Sequence, residues 1–174
     1  MRRIPATLFV GLALAPMAMA QDVSVDSDTT YDFSKLKTFA IQVATSGGNP
    51  LAEKRVVGEV EEALVGKGWK KADPAAADAM VMLHGATETK KNLSTMYSGM
   101  GGWRFGGMGT AQTSVQEYKV GTLVVDIFDA KSKQLVFRGT AQDEMSDKVD
   151  KNQKKLEKAT GKMFKDFPPG TGKK

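Results

Sequence analysis

The sequence predicts an α+β domain: an antiparallel or mixed β-sheet of about five strands with two α-helices packed on one face. Three observations carry that expectation. Short segments around residues 23–25, 38–43, 80–83 and 120–141 have the alternating or continuous apolar character of strands. Two longer stretches, near 50–66 and 147–166, repeat apolar residues at helical intervals, which marks a helix with one buried face. Their order, strand, strand, helix, strand, strand, strand, helix, suits a sheet whose helices share one side.

The first twenty residues stand apart from this pattern. Arg2 and Arg3 precede an apolar run from Ile4 to Ala15, and Ala18-Met19-Ala20 supplies small residues at the spacing of a cleavage site, so the segment reads as a secretory signal peptide cut before Gln21. The run is about a dozen residues, short of the roughly 20 that cross a bilayer as a helix. Of the 174 residues, with 25 Lys and Arg against 20 Asp and Glu, removal of this leader leaves 154 of net charge +3. That length is expected to form one domain, 21–169, followed by a basic tail, 170–174. There is no cysteine, which excludes disulfides, thiol catalysis and thiolate metal sites. With Gln at position 21 no lipid can be attached through an N-terminal Cys. The expected product is a soluble periplasmic protein with neither membrane span nor lipid anchor.

Val23 and Val25 alternate with polar neighbours, and a second strand follows at 38–43 beyond a turn-prone stretch. Asn49-Pro50 then starts a helix, because Asn49 can cap free amides and Pro50 fills a first-turn position that needs no amide proton. Val56, Val60, Ala63 and Leu64 form its apolar stripe; Glu53, Lys54, Glu59, Glu61 and Glu62 fall mainly outside it. Gly66 and Gly68 bracket its end. The continuous run Met80-Val81-Met82-Leu83 fits an inner strand, whose alternation blurs toward Lys90. Residues 97–109 hold six glycines interleaved with Met100, Trp103, Phe105 and Met108, and read as a long loop between two strands.

Across 120–141, Leu123, Val125 and Ile127 share one face of a strand, and Leu135, Phe137 and Ala141 share one face of the next. These faces coincide only if paired residue numbers sum to an even number. A loop over 129–133 then sets Phe128 opposite Gln134, Asp126 opposite Val136 and Val124 opposite Arg138, with Asp126 and Arg138 as diagonal neighbours on the more polar face. The last helix is expected to start at Ser146 or Asp147, either of which can cap it. It carries Val149, Leu156, Met163 and Phe164 on its stripe and stops near Asp166, before Pro168-Pro169. Gly161 inside it costs about 1 kcal/mol relative to Ala, so this helix needs packing.

Chemistry-bearing constellations are sparse. His84 is the only histidine, and no Gly-x-Ser-x-Gly turn accompanies it, so it reads as a structural residue at a strand end. One His without Cys does not make a usual zinc site. Asp22, Asp26, Asp28 and Asp32 cluster, but Tyr31 and Lys37 stand where a calcium loop needs Gly and Glu, leaving a solvated acidic turn. The glycine-rich stretch lacks Gly-Lys-Ser/Thr, and Gly99-x-Gly101 is followed by Arg104 where a dinucleotide fingerprint needs Gly. No catalytic, metal or cofactor residues are therefore assigned. Met100, Trp103, Phe105 and Met108 remain the candidate contacts for a partner or ligand, and Asp126 with Arg138 a polar pair of the sheet.

Charge is uneven: residues 148–174 hold nine Lys against three acids, whereas 21–147 carry a net −3. The basic last helix can face an anionic envelope surface. Export and the lack of any nucleic-acid-reading motif argue against DNA or RNA.

Several short motifs follow one another along the chain: Asp32-Phe33-Ser34 leading to Thr38-Phe39, Lys67-Gly68-Trp69, Ala77-Asp78, Gly121-Thr122-Leu123 with Asp126 and Asp129, Phe137-Arg138-Gly139, and Phe167-Pro168-Pro169. In this order they are similar to those of the bacterial exported family called domain of unknown function 4136. The resemblance spans nearly the whole mature chain and implies an α+β envelope protein, usually a lipoprotein, with no established activity. Here the lipidated Cys is missing, and Phe137 stands where Trp is common. The resulting expectation is a noncatalytic periplasmic or cell-envelope binding or accessory protein. The alternative is a carrier of a lipid or other apolar ligand held between sheet and helices, with an enzyme ranked last.

Overall fold

The computed structural model describes residues 21–98 and 110–169. In chain order these form β1 (Asp22–Ser27), a 3-10 turn (Phe33–Lys35), β2 (Thr38–Thr45), α1 (Pro50–Gly66), β3 (Lys70–Lys71), β4 (Ala79–Ser98), β5 (Thr110–Asp129), β6 (Leu135–Glu144) and α2 (Val149–Met163). The leader, the glycine-rich segment with Met100, Trp103, Phe105 and Met108, and the basic tail lie outside the described residues. The strands make one six-stranded sheet in the order β1-β6-β5-β4-β2-β3. It is mixed: β2 runs parallel to β3 and β4, and the remaining pairs are antiparallel.

Local chemistry explains most boundaries. Asn49 Oδ1 accepts from the Leu51 and Ala52 amides at 3.1 Å, and Pro50 opens α1 as expected. The helix ends where Gly68 adopts φ +87°, a left-handed conformation that costs glycine little. This turn lets the Trp69 amide reach the Leu64 carbonyl at 3.1 Å and buries the indole. It also delivers Lys70 and Lys71 alongside Thr38 and Phe39, creating the sixth strand. Two lysines carry no apolar periodicity, so β3 leaves no trace in the sequence pattern.

Three boundaries differ from expectation. The N-cap of α2 is Lys148, without a side-chain cap, rather than Ser146 or Asp147. Asn152 explains this by reaching back, its side chain bonding both the Ser146 amide (2.8 Å) and carbonyl (2.7 Å), while Ser146 Oγ accepts from the Lys148 amide. At the other end α2 stops at Met163, short of Asp166. Strand β4 runs on through Tyr97 to Ser98, and β5 begins at Thr110, so the pair is far longer than the apolar pattern suggests.

The β5–β6 register has the expected even parity but a different offset. Asp126 lies opposite Arg138, Val124 opposite Thr140 and Ile127 opposite Phe137, with a shift beyond Ile127 that pairs Phe128 with Leu135. Asp129 causes the difference. Its Oδ1 accepts from the Lys131 and Ser132 amides, its backbone bonds Gln134 and Lys133, and Lys133 takes φ +62°, leaving Val136 as an extra buried residue. Alternation decides which faces match, whereas the turn decides how far the strands slide.

Both helices cover the face that carries Val81, Leu83, Val125, Ile127, Phe137 and Ala141. The core is chemically lopsided. Phe167 sits edge-on to Phe33, Trp69, Phe137 and Phe164, with ring centroids 5.0–5.9 Å apart, so aromatic rings fill one end. Ala79, Val81, Leu83, Val60 and Leu64 continue the core in aliphatic form.

Aspartates fasten the loops to this body. Asp78 Oδ2 accepts from the Lys37 and Thr38 amides and the Thr38 hydroxyl. Asp28 and Asp32 accept from Thr30 and Ser34, which is turn chemistry. The Tyr31 hydroxyl donates to Asp129 Oδ2 at 2.5 Å. That bond, followed by the loop amides of Ser132 and Lys131, holds the Asp129 carboxyl at about 2, below its ordinary 3.8. Because the folded value is the lower one, this stabilisation is present above about pH 4 and is lost as pH falls toward 2. After screening it amounts to about 1–2 kcal/mol. Tyr31→Phe should therefore flatten the fall of unfolding free energy between pH 4 and 2, measured by denaturant titration. An unchanged slope would remove Tyr31 from this account.

Candidate functional site

Three features outside the packed core have the geometry to contact something else. The first is a cavity of about 220 Å³ beneath the N-terminal ends of α1 and α2. Its walls are largely aliphatic, with Val56 from α1, Leu156 from α2 and Leu83 and Leu123 from the sheet. On the sheet side it is bordered by Gly85 of β4 and Gly121 of β5, over which Gly47 and Met145 pack closely. A Cβ on Gly85 would stand 3.2 Å from the Gly47 backbone nitrogen, and one on Gly121 3.2 Å from the Met145 side chain, so neither position has room for a larger residue without movement. Val43, Met145 and Val149 line the cavity and are 38%, 37% and 52% exposed, giving it an apolar mouth.

The second feature lies on the opposite face of the sheet. Asp126 is 2% exposed and directly faces Arg138 across the β5–β6 pair. The guanidinium grips both carboxylate oxygens, Nε to Oδ1 and Nη2 to Oδ2, each at 2.6 Å. His84 Nε2 is 3.7 Å from Asp126 Oδ2, and its Nδ1 is 3.0 Å from Thr45 Oγ1. The imidazole thus bridges β2 and β5 through polar contacts from inside β4, rather than from the strand end where the sequence placed it, because β4 continues to Ser98. Its hydroxyl partner is a threonine rather than a serine. Among the described residues no group of three or more His, Cys, Asp or Glu is placed to hold a metal ion.

The third is an arm. Strand β2 leaves β4 at His84 and β6 leaves β5 at Val120, yet β4 and β5 stay paired from Thr89 opposite Lys119 to Ser98 opposite Thr110. At about 3.3 Å per residue these ten pairs extend roughly 33 Å as a two-stranded ribbon. Leu93 faces Val115 on it, 68% and 54% exposed, beside a Lys91–Glu117 ion pair of 2.9 Å. The glycine-rich segment 99–109 joins the two strands of this arm. Elsewhere, Lys151, Lys154, Lys158 and Lys162 are exposed on α2, making its outer side cationic. No helix among the described residues is long and apolar enough to cross a membrane.

The sequence put Asp126 and Arg138 on one face as diagonal neighbours, where the structure sets them directly opposite, and it offered a ligand site between sheet and helices without naming any residue that lines one. The only advance sign of the cavity was small residues where strands usually carry bulk: Gly85, Ala86, Gly121 and Ala141.

Comparison with known proteins bears on the fold. A PDZ domain protein from Parabacteroides distasonis ATCC 8503 is similar at 14% identity and TM-score 0.56, over 84% of this chain and 35% of that one. The chain therefore spans about a third of the length of that relative. A DUF4136 family protein from Bacteroides thetaiotaomicron VPI-5482 is similar at 14% identity and TM-score 0.52, over 85% of this chain and 96% of that one. None of the curated proteins matches the chain. At such identities the solved structures speak for the architecture. The motifs quoted above acquire physical roles in it: Asp32 caps the 3-10 turn, Gly68 reverses the chain, Asp78 ties β2 to β4, and Gly139 gives α2 room against β6. With a family model matching residues 23–169, the chain belongs to the family described as Domain of unknown function (DUF4136).

Proposed function

We propose that this chain is an exported, noncatalytic binding or accessory protein of the bacterial cell envelope, which engages its partner through the β4–β5 arm and the glycine-rich segment at its end. One observation carries this reading. Ten strand pairs extend beyond the six-stranded part of the sheet and, among the described residues, are joined by no third strand, although an isolated two-stranded ribbon is only marginally stable in water. Such a ribbon with an exposed, facing Leu93–Val115 pair is what a partner strand or apolar surface would cover. The segment 99–109 adds Met100, Trp103, Phe105 and Met108, side chains with large contact area. The chain has no thiol, and its buried Asp126 is taken up by Arg138, which supports binding rather than catalysis. The leader would be removed on export to the periplasm, and the cationic side of α2 would face an anionic envelope surface.

A photo-crosslinker at position 103 in intact cells tests this. One envelope protein should be captured reproducibly, and the adduct should disappear when Leu93 and Val115 are both changed to Ser. Replacing 99–109 by an Asn-Gly turn should abolish capture from a crosslinker placed at position 93, with the thermal midpoint nearly unchanged. Absence of any adduct, or an adduct indifferent to Leu93 and Val115, would overturn the proposal.

A further inference from the structure

We propose that α2 docks the protein on the surface of an anionic phospholipid bilayer through a ridge of lysines, by charge alone and without insertion. This rests on the reading of α2 given above and on nothing in the arm, so the two can fail separately.

The spacing of the lysines makes the ridge. Lys151, Lys154, Lys158 and Lys162 recur at helical intervals, which at 3.6 residues per turn puts all four within about 80° of one another and spreads them over roughly 16 Å of helix. Ala159, Thr160 and Met163 are buried on the other side, so the exposed lysines point away from the core. Lys165 follows them, also exposed, in the turn beyond α2, and its carbonyl holds Lys67 Nζ at 2.8 Å, adding another cation at that end. Among the described residues none of Lys151, Lys154, Lys158, Lys162 and Lys165 has an ion-pair partner, whereas Lys155 on the flank is taken by Asp143 at 2.9 Å. Helix stability does not ask for this arrangement. Lys154, Lys158 and Lys162 are like charges four residues apart, and Lys151 stands in the first turn, at the positive end of the helix dipole. Anions from outside the chain would relieve that repulsion.

The acids lie elsewhere. Glu157 is turned toward α1, where burial and then its charge raise the Glu59 carboxyl above its ordinary range. Helix α2 packs on β1 and β6. On β1, Val23 packs against the core opposite Ala141, so Asp22 and Asp26 face the other side of the sheet, Asp26 opposite Arg138. The acidic edge strand thus points away from the side that α2 covers, and an anionic surface meets the lysines first. The occupant follows from what the ridge lacks. No aromatic ring is exposed on α2 to stack on a sugar, and its amide side chains are already used, Asn152 on Ser146 and Gln153 on Glu59. Of its apolar residues only Val149 is exposed, so no apolar face is left to sink among acyl chains. What remains is a row of charges, which a layer of anionic headgroups can meet without matched geometry, at about fivefold in affinity for each lysine.

The test uses the exported protein and vesicles of phosphatidylcholine, alone or with about three parts in ten of phosphatidylglycerol. Cosedimentation should require phosphatidylglycerol and should vanish as salt rises from about 50 to about 500 mM. Lys154→Gln with Lys158→Gln should weaken it about 25-fold, whereas Lys154→Arg with Lys158→Arg should preserve it. Lys37→Gln with Lys70→Gln makes the same change of charge at the β2–β3 edge, the opposite side of the sheet from β1, and should matter less than about twofold. The chain with 99–109 replaced by an Asn-Gly turn should bind undiminished, which separates this surface from the arm. Binding to phosphatidylcholine alone, binding that persists at the higher salt, equal losses from the two Gln pairs, or loss of binding with 99–109 would each overturn the proposal. So would retention on immobilised polygalacturonate without binding to vesicles, which would make a polyanionic sugar chain the occupant instead.

Discussion

Phe167→Ala is expected to remove about 3–5 kcal/mol of unfolding free energy, the largest effect of any single substitution considered for this protein. Phe167 follows α2 and is 3% exposed. Its ring meets four others: Trp69 beyond α1, Phe33 of the 3-10 turn, Phe137 of β6 and Phe164. Each edge-on pair adds about 0.5–1.5 kcal/mol beyond area burial, and truncation breaks all of them while opening a void that the rigid sheet cannot close. Domains of this length have about 5–15 kcal/mol in total, so much of the variant should be unfolded at modest denaturant. Urea titration followed by tryptophan fluorescence, to which buried Trp69 contributes, measures it, and Phe167→Leu should recover about half of the loss. A cost below about 1 kcal/mol would mean that the segment after α2 is not part of the core.

Gly139→Val should cost about 1–3 kcal/mol, and Met163→Ala in the same chain should return much of it. Gly139 lies on β6 where α2 crosses closest. A Cβ there would stand 2.3 Å from Cγ and Sδ of Met163 and 3.1 Å from its Cε, and Met163 is itself 2% exposed. The methionine has no alternative space, so the added methyl groups must push α2 off the sheet or twist its side chain out of a rotamer. Met163→Ala alone creates a cavity; combined with Gly139→Val the two volume changes oppose each other, and the double-mutant cycle should show a favourable coupling of at least about 1 kcal/mol. Additive costs would show that the strand and helix do not press on one another here. The same contact explains why Phe137-Arg138-Gly139 ends in glycine: Phe137 packs inward, Arg138 points to the far face to hold Asp126, and the next inward residue must have no side chain.

Where local physics was sufficient, the sequence could be read directly. Asn49-Pro50 starts α1 because an Asx cap and a proline suit the same turn in almost any surroundings, and Gly68 ends it because the left-handed conformation is a local demand. Alternation along 123–127 and 135–141 placed Leu123, Val125, Ile127, Phe137 and Ala141 on the inner side, but Leu135, put with them, is 37% exposed and Val136 is buried instead, because the strand bulges there. The start of α2 was misplaced because Asn152, six residues further on, binds Ser146 more fully than a cap would. The two-residue slide of β6 against β5 followed from side-chain and backbone bonds of Asp129 that no period reveals.

Composition and periodicity by themselves determined the α+β class, the two helices, the inward face of each central strand and the exclusion of thiol chemistry, because each depends on residues within a turn or two of one another. Only the tertiary structure decided that β2 and β4 run parallel, that two lysines add a sixth strand, that β4 and β5 continue as an arm, and that a cavity lies under the helix N-termini. Those features arise from pairings and gaps between segments distant in the chain. Their free energies are set by the backbone partners and small side chains that meet there, and neither leaves a repeating mark in sequence.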